Sequence, residues 1–113
     1  MKDKTESETS PFVFQLPQDG TERLSLLKPP KSIKLRSGSV VLKRGESVGL
    51  HNTDHGEEFL VILDGNGALE INGRMHSALG KGCVAYIPPH TPHNIMNTGS
   101  EILRYVYIVS PVE

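Results

Sequence analysis

The residues best suited to chemistry in this chain of 113 residues are three potential metal ligands, His51, Glu58 and His93. Imidazole nitrogens and carboxylate oxygens are common protein ligands of divalent transition metals. His51 and Glu58 lie in one glycine-bounded segment, and His93 lies in a second, more than thirty residues further along. The spacing within each segment therefore decides whether the three side chains form one site.

The two segments resemble the paired motifs of the cupin superfamily, G-x5-H-x-H-x3/4-E-x6-G and G-x5-P-x-G-x2-H-x3-N. The matching positions are Gly45, His51, Glu58 and Gly65 in the first motif, and Gly82, Pro88, His93 and Asn97 in the second. The resemblance implies an all-β fold, a cupin-type antiparallel jelly-roll β-barrel. It also implies that one glutamate and up to three histidines hold a divalent metal ion inside that barrel.

Two positions depart from the family pattern. Thr53 stands where the second histidine of H-x-H is expected, and His90 stands where P-x-G has its glycine. The ligand set implied by the resemblance is then His51, Glu58 and His93. His55, two residues past Thr53, could supply a further imidazole if its turn folds inward; otherwise Thr53, water or substrate completes the coordination sphere.

Two imidazoles and one carboxylate with open positions form the facial triad associated with non-haem Fe(II), and Mn, Ni, Co or Zn are alternatives. The resemblance then suggests a metal-dependent enzyme acting on a small molecule, such as a dioxygenase or a sugar-isomerase-like protein. The alternative is a non-catalytic metal or small-ligand-binding barrel, a sensor. No catalytic residue can be assigned; His90 could act as an acid or base, or could simply tolerate positive φ in a turn.

Composition excludes several other functions. The net charge is −1 and no basic stripe is present, which argues against nucleic acid as a partner. The longest apolar run, Phe59 to Leu63, is far too short for a spanning helix. The N-terminus lacks the apolar region of a secretory signal, and Cys83 has no partner for a disulfide, so we expect a cytoplasmic protein. Cys83 itself is expected to be a half-buried filler.

The hydrophobic pattern predicts one domain at residues 11–113 after a flexible N-terminus at residues 1–10. Short apolar runs alternate with turn signals, as in an all-β barrel or sandwich. Asn72-Gly73 gives the strongest hairpin signal. Phe12 to Leu16 is predicted to be a short strand ending near Asp19-Gly20, and Ser37-Gly38 is predicted to be a turn. The cluster from Leu24 to Leu27 is left open between a strand and a helical turn.

The run from Phe59 to Leu63 is apolar on both faces of its predicted strand. Leu60 and Ile62 share the face of Glu58, which favours Glu58 over Glu57 as the inward ligand. The opposite row, which includes Phe59, needs cover from another sheet, an N-terminal segment or a second subunit. This pattern predicts a homodimer in which residues 11–16 contribute to the interface.

Overall fold

The structure is a computed structural model that describes residues 9–18 and 20–112. Nine β-strands and no helix form within those residues. The strands are β1 (Leu24–Leu27), β2 (Arg36–Leu42), β3 (His51–Asn52), β4 (Gly56–Asp64), β5 (Asn66–Ile71), β6 (Arg74–Gly80), β7 (Val84–Ile87), β8 (Pro92–Asn97) and β9 (Leu103–Pro111). The described part of the chain therefore contains no helix long and apolar enough to cross a membrane.

The strands form two antiparallel sheets. One has the order β1-β2-β9-β4-β7 and the other has the order β3-β8-β5-β6. The prediction of an all-β, antiparallel fold is confirmed. Neighbours in a sheet are often distant along the chain, as in the pairing of β2 with β9, so the two motif segments are brought together by long-range pairing.

The hydrophobic core is built by alternate residues of the strands. Leu60 and Ile62 of β4 are almost fully buried, and they pack in one cluster with Ile95 of β8 and Leu103 of β9. Since side chains in a strand alternate between faces, Glu58 shares the buried face of Leu60 and is itself only 8% exposed. The core thus positions Glu58 at the end of an inward apolar row.

Local turn chemistry is confirmed at the β5–β6 hairpin. Asn72 and Gly73 have φ of 53° and 78°, and the strands pair on either side of them. Positive φ at both central residues is the requirement of a type I′ turn. The open choice at residues 24–27 is decided in favour of a strand, β1.

Three local predictions were wrong. Phe12 to Leu16 forms no strand, because no neighbouring strand pairs with it. Ser37 and Gly38 lie inside β2 and pair with β9 instead of turning. Cys83 is exposed, not half-buried. The flexible N-terminus was predicted for residues that lie largely outside the described range, and so does Asp19 of the predicted turn.

Candidate metal centre

The three predicted ligands come together between the two sheets. His51 of β3 and His93 of β8 are direct register partners, and their ring centroids are 3.9 Å apart. Glu58 reaches them from β4 of the other sheet. One ligand atom from each of the three residues lies within 4.8 Å of the others. Strand pairing fixes the two imidazoles, and the inward parity of β4 supplies the carboxylate.

Both imidazoles are oriented in the same way by the backbone. Nδ1 of His51 lies 3.0 Å from the carbonyl oxygen of Gly49, and Nδ1 of His93 lies 2.9 Å from that of Thr91. A carbonyl oxygen only accepts, so each Nδ1 carries the proton and donates it. In a neutral ring this leaves the lone pair on Nε2, which is the arrangement of a metal-ligating histidine held by a backbone carbonyl.

His93 is fully buried, and its Nε2 atom has no hydrogen-bond partner among the described residues. Nε2 lies 3.1 Å from Oε1 of Glu58, which is close enough for an ion pair, but the contact does not meet the geometry of a hydrogen bond. Buried polar atoms are rarely left without a partner, and an absent ion is one of the usual reasons. The residues present therefore fit a metal ion.

The electrostatic setting of His93 shows why a cation suits this position. Burial alone lowers the pKa of His93, but contact with Glu58, the hydrogen bond to Thr91 and the charge of Glu58 together raise it above its ordinary 6.5. Glu58 thus favours positive charge at His93. A divalent cation can supply that charge in place of the proton.

Thr53 is engaged elsewhere. Its hydroxyl donates to the carbonyl oxygen of Pro88 at 2.6 Å and accepts from the amide of Thr91 at 3.1 Å. The residue that stands in place of the family histidine therefore joins the 53–55 loop to the 88–91 loop. With this hydroxyl engaged, the open positions of a metal held by the triad would be filled by water or by a small molecule.

His55 does not join the three-residue cluster. Its ring lies edge-on to that of His90, with centroids 5.0 Å apart, and both residues are exposed. His90 has φ of 55°, and its amide donates to the carbonyl of Asp54 at 2.8 Å. His90 thus adopts a left-handed conformation at the position where the motif has glycine.

The structure distinguishes Glu58 from Glu57 and gives Asn97 a structural role. Glu57 points away from the core and accepts a 2.8 Å hydrogen bond from the hydroxyl of Tyr86. Asn97 is 3% exposed; its amide donates to the carbonyls of Leu42 and Glu101 and its carbonyl accepts from the amide of Gly99. Asn97 therefore holds the turn after β8, as expected of a turn residue.

A cavity of about 360 Å³ opens beside the triad, within the range of small-molecule sites. His51 and Glu58 line it, together with the valines Val40, Val48 and Val109, Asn52 at the end of β3, the loop residue Thr53, and Arg23, Tyr105 and Tyr107. Arg23 and the two tyrosines were not predicted from the sequence. Tyr105 and Tyr107 are two residues apart, so they could have been assigned to one face of the last strand, but Arg23 gave no signal.

A larger groove, about 650 Å³, runs along residues 25–31. Its polar side chains are Ser25 and two lysines, with no histidine or carboxylate. Judged by volume alone, this groove would be the candidate ligand site. The smaller cavity is the better candidate because potential metal ligands line it.

A family model described as a cupin domain matches residues 38–109, which is more than half of the chain. The chain belongs to the cupin family. The match runs from β2 to β9 and so includes all three side chains of the cluster.

This cupin has a relative in sequence and a relative in structure from one organism. An uncharacterized protein of Methanocaldococcus jannaschii is 33% identical over 89 residues, covering 77% of this chain and 70% of that protein. A cupin from the same organism, described as having a double-stranded β-helix fold, superposes with a TM-score of 0.74 at 22% identity over 89% of this chain and 91% of the other.

A third similar protein is a predicted oxalate decarboxylase from Thermotoga maritima, with a TM-score of 0.64 and 28% identity. The match covers 68% of this cupin and 66% of that chain, slightly under two thirds of its length. Its description concerns that protein alone.

Proposed function

We propose that this cupin binds one divalent metal ion through Nε2 of His51, Nε2 of His93 and the carboxylate of Glu58, and acts as a metal-dependent enzyme on a small molecule. The observation that carries the proposal is the convergence of one ligand atom from each of these residues within 4.8 Å, beside a buried Nε2 of His93 that has no hydrogen-bond partner in the described chain. We place the site inside a cupin-type jelly-roll barrel, closed around the two sheets.

The residues of the site would divide the work. The backbone carbonyls of Gly49 and Thr91 hold the two imidazoles in the ligating tautomer. The valines of the cavity would exclude water from one side of a bound ligand, and the ligand would enter through the open mouth of the cavity. A bound Fe, Mn, Ni, Co or Zn ion would supply Lewis acidity or redox chemistry at its open positions. A dioxygenase or a sugar-isomerase-like enzyme would use such a centre.

One observation favours the alternative, a non-catalytic metal or small-ligand-binding sensor. Thr53 replaces one histidine of the family motif and its hydroxyl is used to join two loops, so the protein offers one imidazole fewer. Oxygen uptake and turnover across a small-molecule library distinguish the two functions. An enzyme consumes a substrate in proportion to its metal content, whereas a sensor binds a ligand without converting it.

The metal content of purified protein tests the proposal. Protein made without a polyhistidine tag should contain about one equivalent of metal by elemental analysis, and Glu58→Ala should contain almost none. His76→Ala is the matched control, because His76 is exposed on β6 and its ring contacts Ser77 instead of the cluster. Metal retained at one equivalent in Glu58→Ala would contradict the ligand assignment.

We also propose that the protein is a cytoplasmic homodimer. Support comes from the outer face of the first sheet, where Phe59, Val84 and Tyr86 are 39%, 57% and 55% exposed. Phe12 and Phe14 precede β1, and each side chain is 55% exposed to solvent. A second copy that brings its own phenylalanines to this face would bury both sets. Light scattering should give a molar mass twice that of one chain, and the Phe59→Lys variant should give the mass of a single chain.

A further inference from the structure

The cavity beside the metal cluster contains one cation and two phenols that the proposed metal function does not use. Arg23, which directly precedes β1, lines the cavity with Tyr105 and Tyr107 of β9. Arg23 is the only Lys or Arg side chain among the described residues that line this cavity. Its charge is therefore available to a ligand that enters there.

Tyr105 lines the cavity from a nearly buried position. It is 3% exposed, and it lies on β9 within the lining that also includes Arg23 and Glu58. Burial raises the pKa of Tyr105, and the Glu58 carboxylate raises it further, while Arg23 acts in the opposite direction. Tyr105 thus remains a protonated donor, close enough to Arg23 and Glu58 to respond to both charges.

Tyr107 is positioned by a glycine. A Cβ atom on Gly38 would lie 2.7 Å from the Tyr107 hydroxyl and 2.8 Å from the carbonyl oxygen of Leu24. Gly38 and Tyr107 are register partners in β2 and β9, so the phenol crosses β2 where any larger residue would block it. Tyr107 lines the same cavity as Arg23.

With a metal ion bound, the net charge facing a ligand would be positive. A divalent ion would outweigh the single carboxylate charge of Glu58, and Arg23 adds a further positive charge. The two phenols can donate hydrogen bonds. An anion is therefore the ligand that this cavity complements.

We infer that the substrate or effector of this cupin is a small carboxylate, whose acid group is bound by Arg23 and the hydroxyls of Tyr105 and Tyr107. This inference rests on the proposed function, because the metal would hold the other end of the same molecule. A carboxylate suits the planar guanidinium fork, which forms two parallel hydrogen bonds to it. A single arginine with valine neighbours is a sparse site for a phosphate, which carries more charge.

The test is isothermal titration calorimetry with malonate, using malonamide as the neutral analogue and inorganic phosphate as the competing anion. Both zinc-loaded and chelator-treated protein are titrated. Arg23→Gln should weaken malonate binding at least tenfold in either form, since charge-assisted hydrogen bonds are among the stronger ones. Tyr105→Phe should weaken it about threefold to tenfold while keeping the shape of the side chain. Malonamide should not bind measurably.

Arg74→Gln is the matched control, because Arg74 is exposed at the start of β6, away from the cavity. An equal loss in Arg74→Gln, an unchanged affinity in Arg23→Gln, or tight binding of phosphate in place of malonate would overturn the inference. Zinc stoichiometry is measured on the same samples. If the protein holds zinc but its malonate affinity is unchanged in Arg23→Gln, the carboxylate site alone is refuted. If the protein holds no zinc, the metal proposal is refuted, and the titration of chelator-treated protein still tests the role of Arg23.

Discussion

Replacing His93 with alanine should remove the metal and destabilise the metal-free protein at the same time. His93 is fully buried, its ring packs on His51, and its two nitrogens face the Thr91 carbonyl and the Glu58 carboxylate. The substitution deletes one of three metal ligands. It also leaves the Thr91 carbonyl and a nearly buried carboxylate without their partner.

The expected loss of stability follows from those contacts. A buried polar group left unpaired costs about 1–3 kcal/mol, and a charged one costs more. Part of this cost is recovered if water enters from the neighbouring cavity. We expect a decrease of about 2–4 kcal/mol in the free energy of unfolding, or a fall of roughly 10 °C in the melting temperature for a domain of this size. Urea denaturation of chelator-treated protein measures this term without any contribution from metal.

His76→Ala again serves as the control and should stay within about 0.5 kcal/mol of the parent protein, because His76 is exposed. Elemental analysis of the untreated His93→Ala protein should show almost no metal. A variant that kept one equivalent of metal, or that unfolded at the same urea concentration as His76→Ala, would refute the role assigned to His93.

Three further predictions follow from the same contacts. Metal affinity should fall as the pH decreases through the raised pKa of His93, because a proton competes with the metal for Nε2. The metal-free protein should show a second effect. The stability that protonated His93 contributes is fully present below pH 6.5 and is lost as the pH rises through the pKa of His93 in the folded state. Competition with a chromogenic chelator between pH 5 and 8 measures the first effect, and affinity independent of pH would contradict it. Thr53→Val should cost about 1–3 kcal/mol in urea denaturation by breaking both loop hydrogen bonds, with the metal stoichiometry unchanged; loss of metal would contradict a role confined to joining the loops. Asn97→Ala should cost about 2–4 kcal/mol, because two carbonyls and one amide lose their buried partner; a change below 0.5 kcal/mol would show that water replaces the amide fully.

Local signals predicted the parts of the fold that local chemistry controls. Asn72-Gly73 turns because both residues tolerate positive φ, and the parity that separates Glu58 from Glu57 follows from the strand geometry of β4. The convergence of His51 with His93 depended on motif spacing, since no local pattern reveals that β3 pairs with β8.

The failures have a common physical origin in long-range contacts. Gly38 suggested a turn, but its missing side chain makes room for the Tyr107 phenol from the far end of the chain. Phe12 and Phe14 alternate as in a strand, yet an alternating pattern forms a strand only where a partner strand is available. Arg23 reaches the cavity because β1 pairs with β2, and no sequence pattern around Arg23 predicts that pairing.

Anomalous diffraction from crystals of the metal-loaded protein tests the central claim most directly. The account predicts one strong peak between the sheets, about 2.0–2.2 Å from Nε2 of His51, Nε2 of His93 and a carboxylate oxygen of Glu58. A peak between His55 and His90 instead, or no peak within coordination distance of these three atoms, would contradict it.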